Sequence, residues 1–338
     1  MRSFIVQSLR ALFSIFGGIV LTRRAYNQII FQRDEAVSKL VKIEEIKLNH
    51  GLVGIVFSRD RALQLYTLLH TYFAKVKNPA PLYIVYSVSS NAHLESYDEI
   101  YKTLNASGCN VTLIKELDGF KVTLLKILYQ INSKNIFFLV DDNIFIRETD
   151  FTIAKQIDPL CTILSLRHSP HLKHSYTANA QLRIPNFTPA KEGLGLLKFA
   201  WFEQNLEWSD PWSVDGQVLS TAEVRVLASM SDFKAPNTFE GALKSFNSLC
   251  KSRYGLCYSE SKVINLPINC VQTEVSNLSG NITAEYLLKC WNDGLMFDAR
   301  PLEKHTPLST HEEHTLEFVK RTPFKRPNID SPIPYQTN

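Results

Sequence analysis

The chain has 338 residues, 45% hydrophobic and 11% aromatic, with a formal net charge of +4. That supplies apolar material for one large domain or two, and the mild charge speaks against a nucleic-acid binder, which would carry a dense basic patch. Six cysteines, at 109, 161, 250, 257, 270 and 290, include no CxxC pair, which argues against a cysteine zinc site or a disulfide framework and for reduced, mostly buried thiols.

Phe4–Thr22 is strongly apolar, but Gln7 and Arg10 interrupt it, and the clean stretch from Ala11 is too short to span a bilayer. With Arg23 and Arg24 following, it reads as a basic amphipathic helix lying in the inner membrane interface, with Phe4, Ile5, Leu9, Leu12, Phe13 and Phe16 toward lipid. A helix packed on the protein's own core and a cleaved signal are the other readings of the same residues. Residues 25–48 look helical and charged. Gly51–Phe57 is an apolar strand ending at Ser58-Arg59-Asp60-Arg61, and a helix carrying Leu63, Leu65, Leu68, Leu69 and Tyr72 follows it up to Asn78-Pro79. Leu82–Val88 is a second strand, Ser96–Leu104 a helix closed by Gly108, Asn110–Lys115 a third strand, and Gly119–Ile131 a helix. Ile136–Val140 then reads as a strand buried on both faces, and it ends in Asp141, Asp142 and Asn143.

Alternating strands and helices through residue 143 predict a mostly parallel sheet covered on both faces, with every strand's carboxyl end on one rim. Ligands of open α/β sheets bind at that rim. Arg59, Arg61, Ser87, Ser89 and the acidic trio would gather there, where arginines suit phosphates and hard oxygens suit Mg²⁺ or Mn²⁺. Asp-Asp-Asn after a strand also serves as a plain turn. Neither a GxGxxG nor a P-loop motif is present, which removes two common nucleotide folds.

The second half differs. Thr162–Leu166 is a further strand, and Gly193–Phe202 is apolar. Trp201, Trp208 and Trp212 cluster with Asp210 and Asp215, a pairing that suits a sugar, although tryptophans are more often core anchors. Ser220-Thr221-Ala222-Glu223 resembles a capping box. Pro236-Asn237-Thr238-Phe239-Glu240 opens a helix with Asn237 or Thr238 as cap and Glu240 in the first turn, where the helix dipole favours an acid. Glu285–Asp293 is a helix closed by Gly294. His311 and His314 are spaced to share a helical face, and a last helix precedes a Pro-rich tail.

Val56–Leu63, Leu139–Asn143, Ser213–Glu223 and Phe233–Glu240 together resemble the first loop, DxD motif, acceptor loop and acidic helix start of the GT-A class of nucleotide-sugar-dependent glycosyltransferases, of the bacterial surface-polysaccharide type. The resemblance implies a GT-A-like, Rossmann-type α/β fold divided into a membrane-associating segment (1–48), a nucleotide-sugar half (49–146), an acceptor-binding and catalytic half (147–322) and a Pro-rich tail (323–338). It implies transfer of a sugar from a nucleotide-sugar donor to a glycan or lipid-linked acceptor at the cytoplasmic face of the membrane, with Mn²⁺ or Mg²⁺ held by Asp141, Asn143 and His311. Ser58, Arg59, Arg61, Ser87, Lys121, Asp141 and Asp142 would bind the donor. Glu240 would be the base, and Asp215, beside Trp212, would orient a sugar. This chain departs from the pattern at Asn143, where the motif has an acid, and in Phe-Glu at the helix start. A sugar nucleotidyltransferase would use the same rim but usually brings a glycine-rich phosphate loop, and Ser58–Leu63 holds no glycine. A non-catalytic scaffold of the same fold is the remaining alternative.

Overall fold

The computed structural model describes residues 21–190, 195–269, 280 and 282–325. The expected membrane-associating stretch therefore lies outside the described residues up to position 20. Among the described residues no helix is long and apolar enough to cross a membrane.

Helix α1 (Arg23–Glu45) is capped by Thr22, whose hydroxyl accepts the Ala25 N–H at 3.2 Å. Then β1 (Asn49–Arg59), α2 (Ala62–Lys75), β2 (Leu82–Ser87), α3 (Asn91–Ser107), β3 (Val111–Lys115), α4 (Phe120–Gln130) and β4 (Ser133–Val140) follow in strict alternation. These four strands are parallel and lie in the order β4-β1-β2-β3. Gly108, with φ of +68°, closes α3 as the sequence predicts, because a left-handed residue costs glycine no Cβ clash.

The second half enters the same sheet. After the short β5 (Asn143–Phe145), strands β6 (Thr162–Ser165), β7 (Leu196–Ala200), β8 (Gln217–Ser220) and β9 (Tyr254–Tyr258) extend it beyond β4 in the order β8-β6-β9-β7. Strand β8 runs antiparallel to both β4 and β6. Helices α5 (Thr221–Met230) and α6 (Pro236–Lys244) follow β8, and β10 (Val263–Asn265) pairs antiparallel with β5, Asn265 opposite Asn143. Helix α7 (Ala284–Asn292), β11 (Leu295–Phe297) and β12 (Phe318–Lys320) complete the described chain. The last helix expected after His314 is not formed; Phe318–Lys320 is a strand paired with β11.

The apolar runs behave as buried strands do. In β4, Phe137 and Leu139 join the core beside α2 and α3, whereas Ile136 and Phe138 join the core beside α1, α4 and α5. Successive side chains point to opposite faces, so a run without polar alternation needs cover on both. Gly54 in β1 has a steric reason: a Cβ there would stand 2.4 Å from the Phe137 ring and 2.5 Å from Leu82. Ser220 caps α5 by accepting the Glu223 N–H, and Glu223 in turn forms a buried two-pronged ion pair with Arg253 at 2.6 and 2.7 Å.

Candidate functional site at the strand ends

The carboxyl ends of β1, β2 and β4 open into a cleft of roughly 200 Å³. Phe57, Val85, Phe120 and Val140 form its apolar side; Ser58, Arg59, Arg61, Ser87, Glu116 and Asp141 form its polar side. The start of α6, Ala235 to Asn237 with Lys234 before it, closes the opposite wall. Five of the residues expected to bind a donor are thus brought together by parallel strands ending in register, with Arg59 opposite Ser87 and Phe57 opposite Val140. The turn that carries them is left-handed at Asp60, φ +53°, and Asp60 accepts the Ser89 N–H at 2.8 Å, which holds the loop in that conformation.

Asp141 is the centre of this rim. One carboxylate oxygen accepts Ser58 Oγ at 2.8 Å and the Arg59 N–H at 3.3 Å; the other accepts Arg61 Nη1 at 2.8 Å. The same guanidinium nitrogen lies 3.2 Å from Asp142, and Arg61 Nη2 donates to the Asn269 carbonyl. Asn265 donates to the second oxygen of Asp142 at 2.9 Å. Burial raises the Asp142 carboxyl to about 6, with Arg61 pulling the other way and Asp141 and Asp215 adding to the rise.

A second cluster lies on the acceptor-loop side. Asp215 faces Arg167 at 3.2 Å and His311 at 3.7 Å. Burial would raise its carboxyl, but Arg167 and then His311 draw it below the usual range. One Asp215 oxygen is buried with no hydrogen-bond partner among the described residues. Glu240 does not stand in the first turn of α6. The helix starts at Ala235 with Pro236 as its first residue, and Thr238, not itself the cap, reaches back to accept the Ala235 N–H at 2.9 Å. Glu240 instead accepts the Val214 N–H at 3.0 Å and Ser213 Oγ at 3.3 Å with one oxygen, and Lys244 at 2.5 Å with the other. Lys244 also pairs with Asp210 at 2.9 Å. Burial, and then Glu240, raise Asp210 to about 7 against the pull of Lys244.

Several expectations are corrected by these placements. Trp212 and Trp208 are wholly buried in the core, so neither ring offers a face to a sugar. Lys121 does not line the cleft; it pairs with exposed Asp232 at 2.9 Å. His311 and His314 do not share a helical face. His311 bridges beside Asn265 and turns to Asp215, while His314 turns to Glu312. Asn143 is fully buried, and its amide oxygen accepts the Val140 N–H at 2.9 Å, which locks the turn. The donor set does not fit the divalent ion expected at Asp141, Asn143 and His311: the Asn143 oxygen is turned back onto the Val140 N–H, His311 faces Asp215, and the Arg61 guanidinium, itself a cation, stands against both acids. Lys234 and Glu116 were missed from the sequence. Lys234 does stand just before the Pro236 helix start, which is the only local signal for it.

No protein-family model matches the chain. Residues equivalent to 49% of the chain match the bifunctional glycosyltransferase pgtA of Dictyostelium discoideum, 24% identical over 179 residues. The match spans only 23% of that relative's length. Among solved structures, Staphylococcus aureus TarS aligns over 63% of this chain and 36% of its own, with 14% identity and a TM-score of 0.39. The 4-diphosphocytidyl-2C-methyl-D-erythritol synthase of Anaerococcus prevotii aligns over 63% and 88%, with 13% identity and a TM-score of 0.37. The resemblance to glycosyltransferases drawn from short motifs thus meets a curated glycosyltransferase relative.

Proposed function

We propose that the protein transfers a glycosyl group from a nucleotide-sugar donor to a hydroxyl acceptor. The cleft at the strand ends carries this reading. It joins an apolar side to a polar rim, with Arg59, Lys234 and the amino end of α6 lining the same space. Phe57, Val85, Phe120 and Val140 would hold the base, and Ser87 or Asp141 a ribose hydroxyl. Arg59, half exposed and only loosely paired with Asp60 at 4.0 Å, is available for the diphosphate. The positive end of the α6 dipole adds to that charge.

In the reaction, the acceptor oxygen attacks the anomeric carbon as the bond to the diphosphate oxygen breaks, and the bonding pair leaves with the diphosphate. The acceptor proton passes to a carboxylate. Both Glu240 oxygens are engaged, whereas one Asp215 oxygen is not. Asp215 therefore takes the proton in this reading, with His311 beside it, and Glu240 holds the Ser213–Asp215 loop in place. No step is routed through a metal: Arg61 neutralises the acid pair, and Arg59 with Lys234 meets the leaving charge. A glycan or lipid-linked acceptor, a role in surface-polysaccharide assembly and attachment to the inner face of a membrane belong to the same proposal.

The test is thermal shift with a panel of nucleotide diphosphates and nucleotide sugars, followed by turnover with the donor that shifts the protein. Asp215→Asn should lower kcat by at least about 10²-fold, the scale of general-base loss, with donor-induced stabilisation unchanged. Glu240→Gln should raise KM for the acceptor more than it lowers kcat. Absence of a shift with every nucleotide would end the transferase reading, and pyrophosphate release from a nucleoside triphosphate and a sugar phosphate would replace it with nucleotidyl transfer.

A further inference from the structure

Away from the strand-end cleft, His305, Glu312 and His314 converge. One ligand atom from each lies within 4.8 Å of the other two, the only such group of histidine, cysteine and acidic side chains among the described residues. His305 Nε2 stands 2.5 Å, and His314 Nε2 3.2 Å, from the same Glu312 oxygen. The two imidazole rings are 4.7 Å apart and nearly perpendicular, so their nitrogens aim at one point without stacking. The other Glu312 oxygen accepts the Leu308 and Ser309 N–H groups at 2.6 and 3.0 Å, which fixes the carboxylate orientation. Arg147 holds the His305 carbonyl at 2.8 Å, and the Glu312 N–H donates to Asn265 at 3.1 Å. Side-chain exposures of 32%, 17% and 23% leave the group reachable by an ion from solvent.

We propose that His305, Glu312 and His314 form a transition-metal site of the zinc class. Two imidazole nitrogens are borderline donors and the carboxylate oxygen a hard one, a mixed set that Zn²⁺ and its neighbours accept, whereas Mg²⁺ and Ca²⁺ favour oxygen ligands throughout. The backbone bonds to Glu312 do what outer-shell partners do at such centres, holding a ligand at a fixed angle before the metal arrives. The site has a structural consequence. Thr310 and Glu312 exchange backbone bonds with Asn265 on either side of His311. A metal bound one and three residues beyond His311 ties down the segment that presents His311 to Asp215.

The decisive experiment uses the full chain, stripped with a chelator, then titrated with Zn²⁺ and, separately, Co²⁺. About one Zn²⁺ should remain per chain after desalting, and Co²⁺ should give the visible absorption of a low-coordinate N,O site. The melting temperature should rise with Zn²⁺, because the ion binds the folded state. His314→Asn and His305→Asn should each weaken Zn²⁺ binding by more than about 100-fold, beyond the loss that outer-shell changes cause. His311→Gln should keep the stoichiometry. Substoichiometric zinc and a featureless Co²⁺ spectrum on the unaltered chain would overturn the site even if the variants fail to fold, and so would full zinc retention in a folded His305→Asn/His314→Asn chain; the three side chains would then be an ordinary hydrogen-bonded cluster. None of these readouts depends on the transferase reading.

Discussion

Arg61 pairs with Asp141, the first of the residues to which short motifs assign a metal, and with Asp142 beside it. It bridges Asp141 and Asp142 from a side chain only 11% exposed, and these acids would repel each other without it. Its own ionisation is driven harder still: burial opposes the charge, but the two carboxylates outweigh burial and raise its pKa. A fixed internal cation and a bound divalent ion are two solutions to the same electrostatic problem. Adding Mg²⁺ or Mn²⁺ should therefore leave turnover unchanged beyond the screening of exposed charges that any salt of the same ionic strength supplies. Arg61→Met should cost about 3–5 kcal/mol of stability, because it leaves two buried acids unpaired. In that variant a divalent ion should restore part of the loss, measured by denaturant unfolding with and without Mn²⁺. Strict dependence of the unaltered protein on Mn²⁺ would return the metal to the mechanism.

At the scale of elements, the cleft exists because three parallel strands end together and one helix begins opposite them. Helix α6 has no side-chain cap at Ala235; Thr238 Oγ takes the Lys234 and Ala235 N–H groups and Pro236 has none, so the next N–H groups, of Asn237 and Thr238, stand at the cleft end of the helix. Lys234→Ala should weaken binding of a nucleoside diphosphate by roughly threefold to tenfold, the scale of one exposed charge-assisted contact, and leave binding of the nucleoside unchanged. Isothermal titration with both ligands distinguishes a phosphate contact from general damage. The strands that build this rim were legible in the sequence. Gly51–Phe57, Leu82–Val88 and Ile136–Val140 are apolar runs too short for helices and bounded by polar residues, which leaves little room for error. Their carboxyl ends were legible for the same reason. The C-terminal third was not: His311 and His314 have helical spacing, yet backbone pairing with Asn265 and between β11 and β12 outweighs local spacing there. Glu240 was misread because the helix begins at Ala235, earlier than the polar candidates Asn237 and Thr238 suggest. The tryptophans read correctly only as core anchors, since a ring beside an acid in sequence says nothing about which face is covered.

At the scale of the whole molecule, the described residues include buried Asp142, raised to about 6, and half-buried Asp210, raised to about 7. Each contributes stability that is fully present below its unfolded value of about 4 and is lost as the pH rises through the folded value. Stability should therefore fall between pH 4 and 7 from these two groups, and Asp210→Asn should flatten the upper part of that slope in melting temperatures recorded at a series of pH values. An unchanged slope would mean that Lys244 already holds Asp210 ionised. The topology has a further consequence, and it belongs to the time of synthesis. Strand β4 is completed at Val140, but its neighbour β8 does not begin until Gln217, so it leaves the ribosome roughly 80 residues later, a delay of about 4–16 s at ~5–20 residues per second. Through that interval the nascent chain presents the apolar flank of β4 as an open sheet edge, ready to pair with any other unfinished chain. A cell making this protein quickly has to shield that edge until the antiparallel strand arrives to close it.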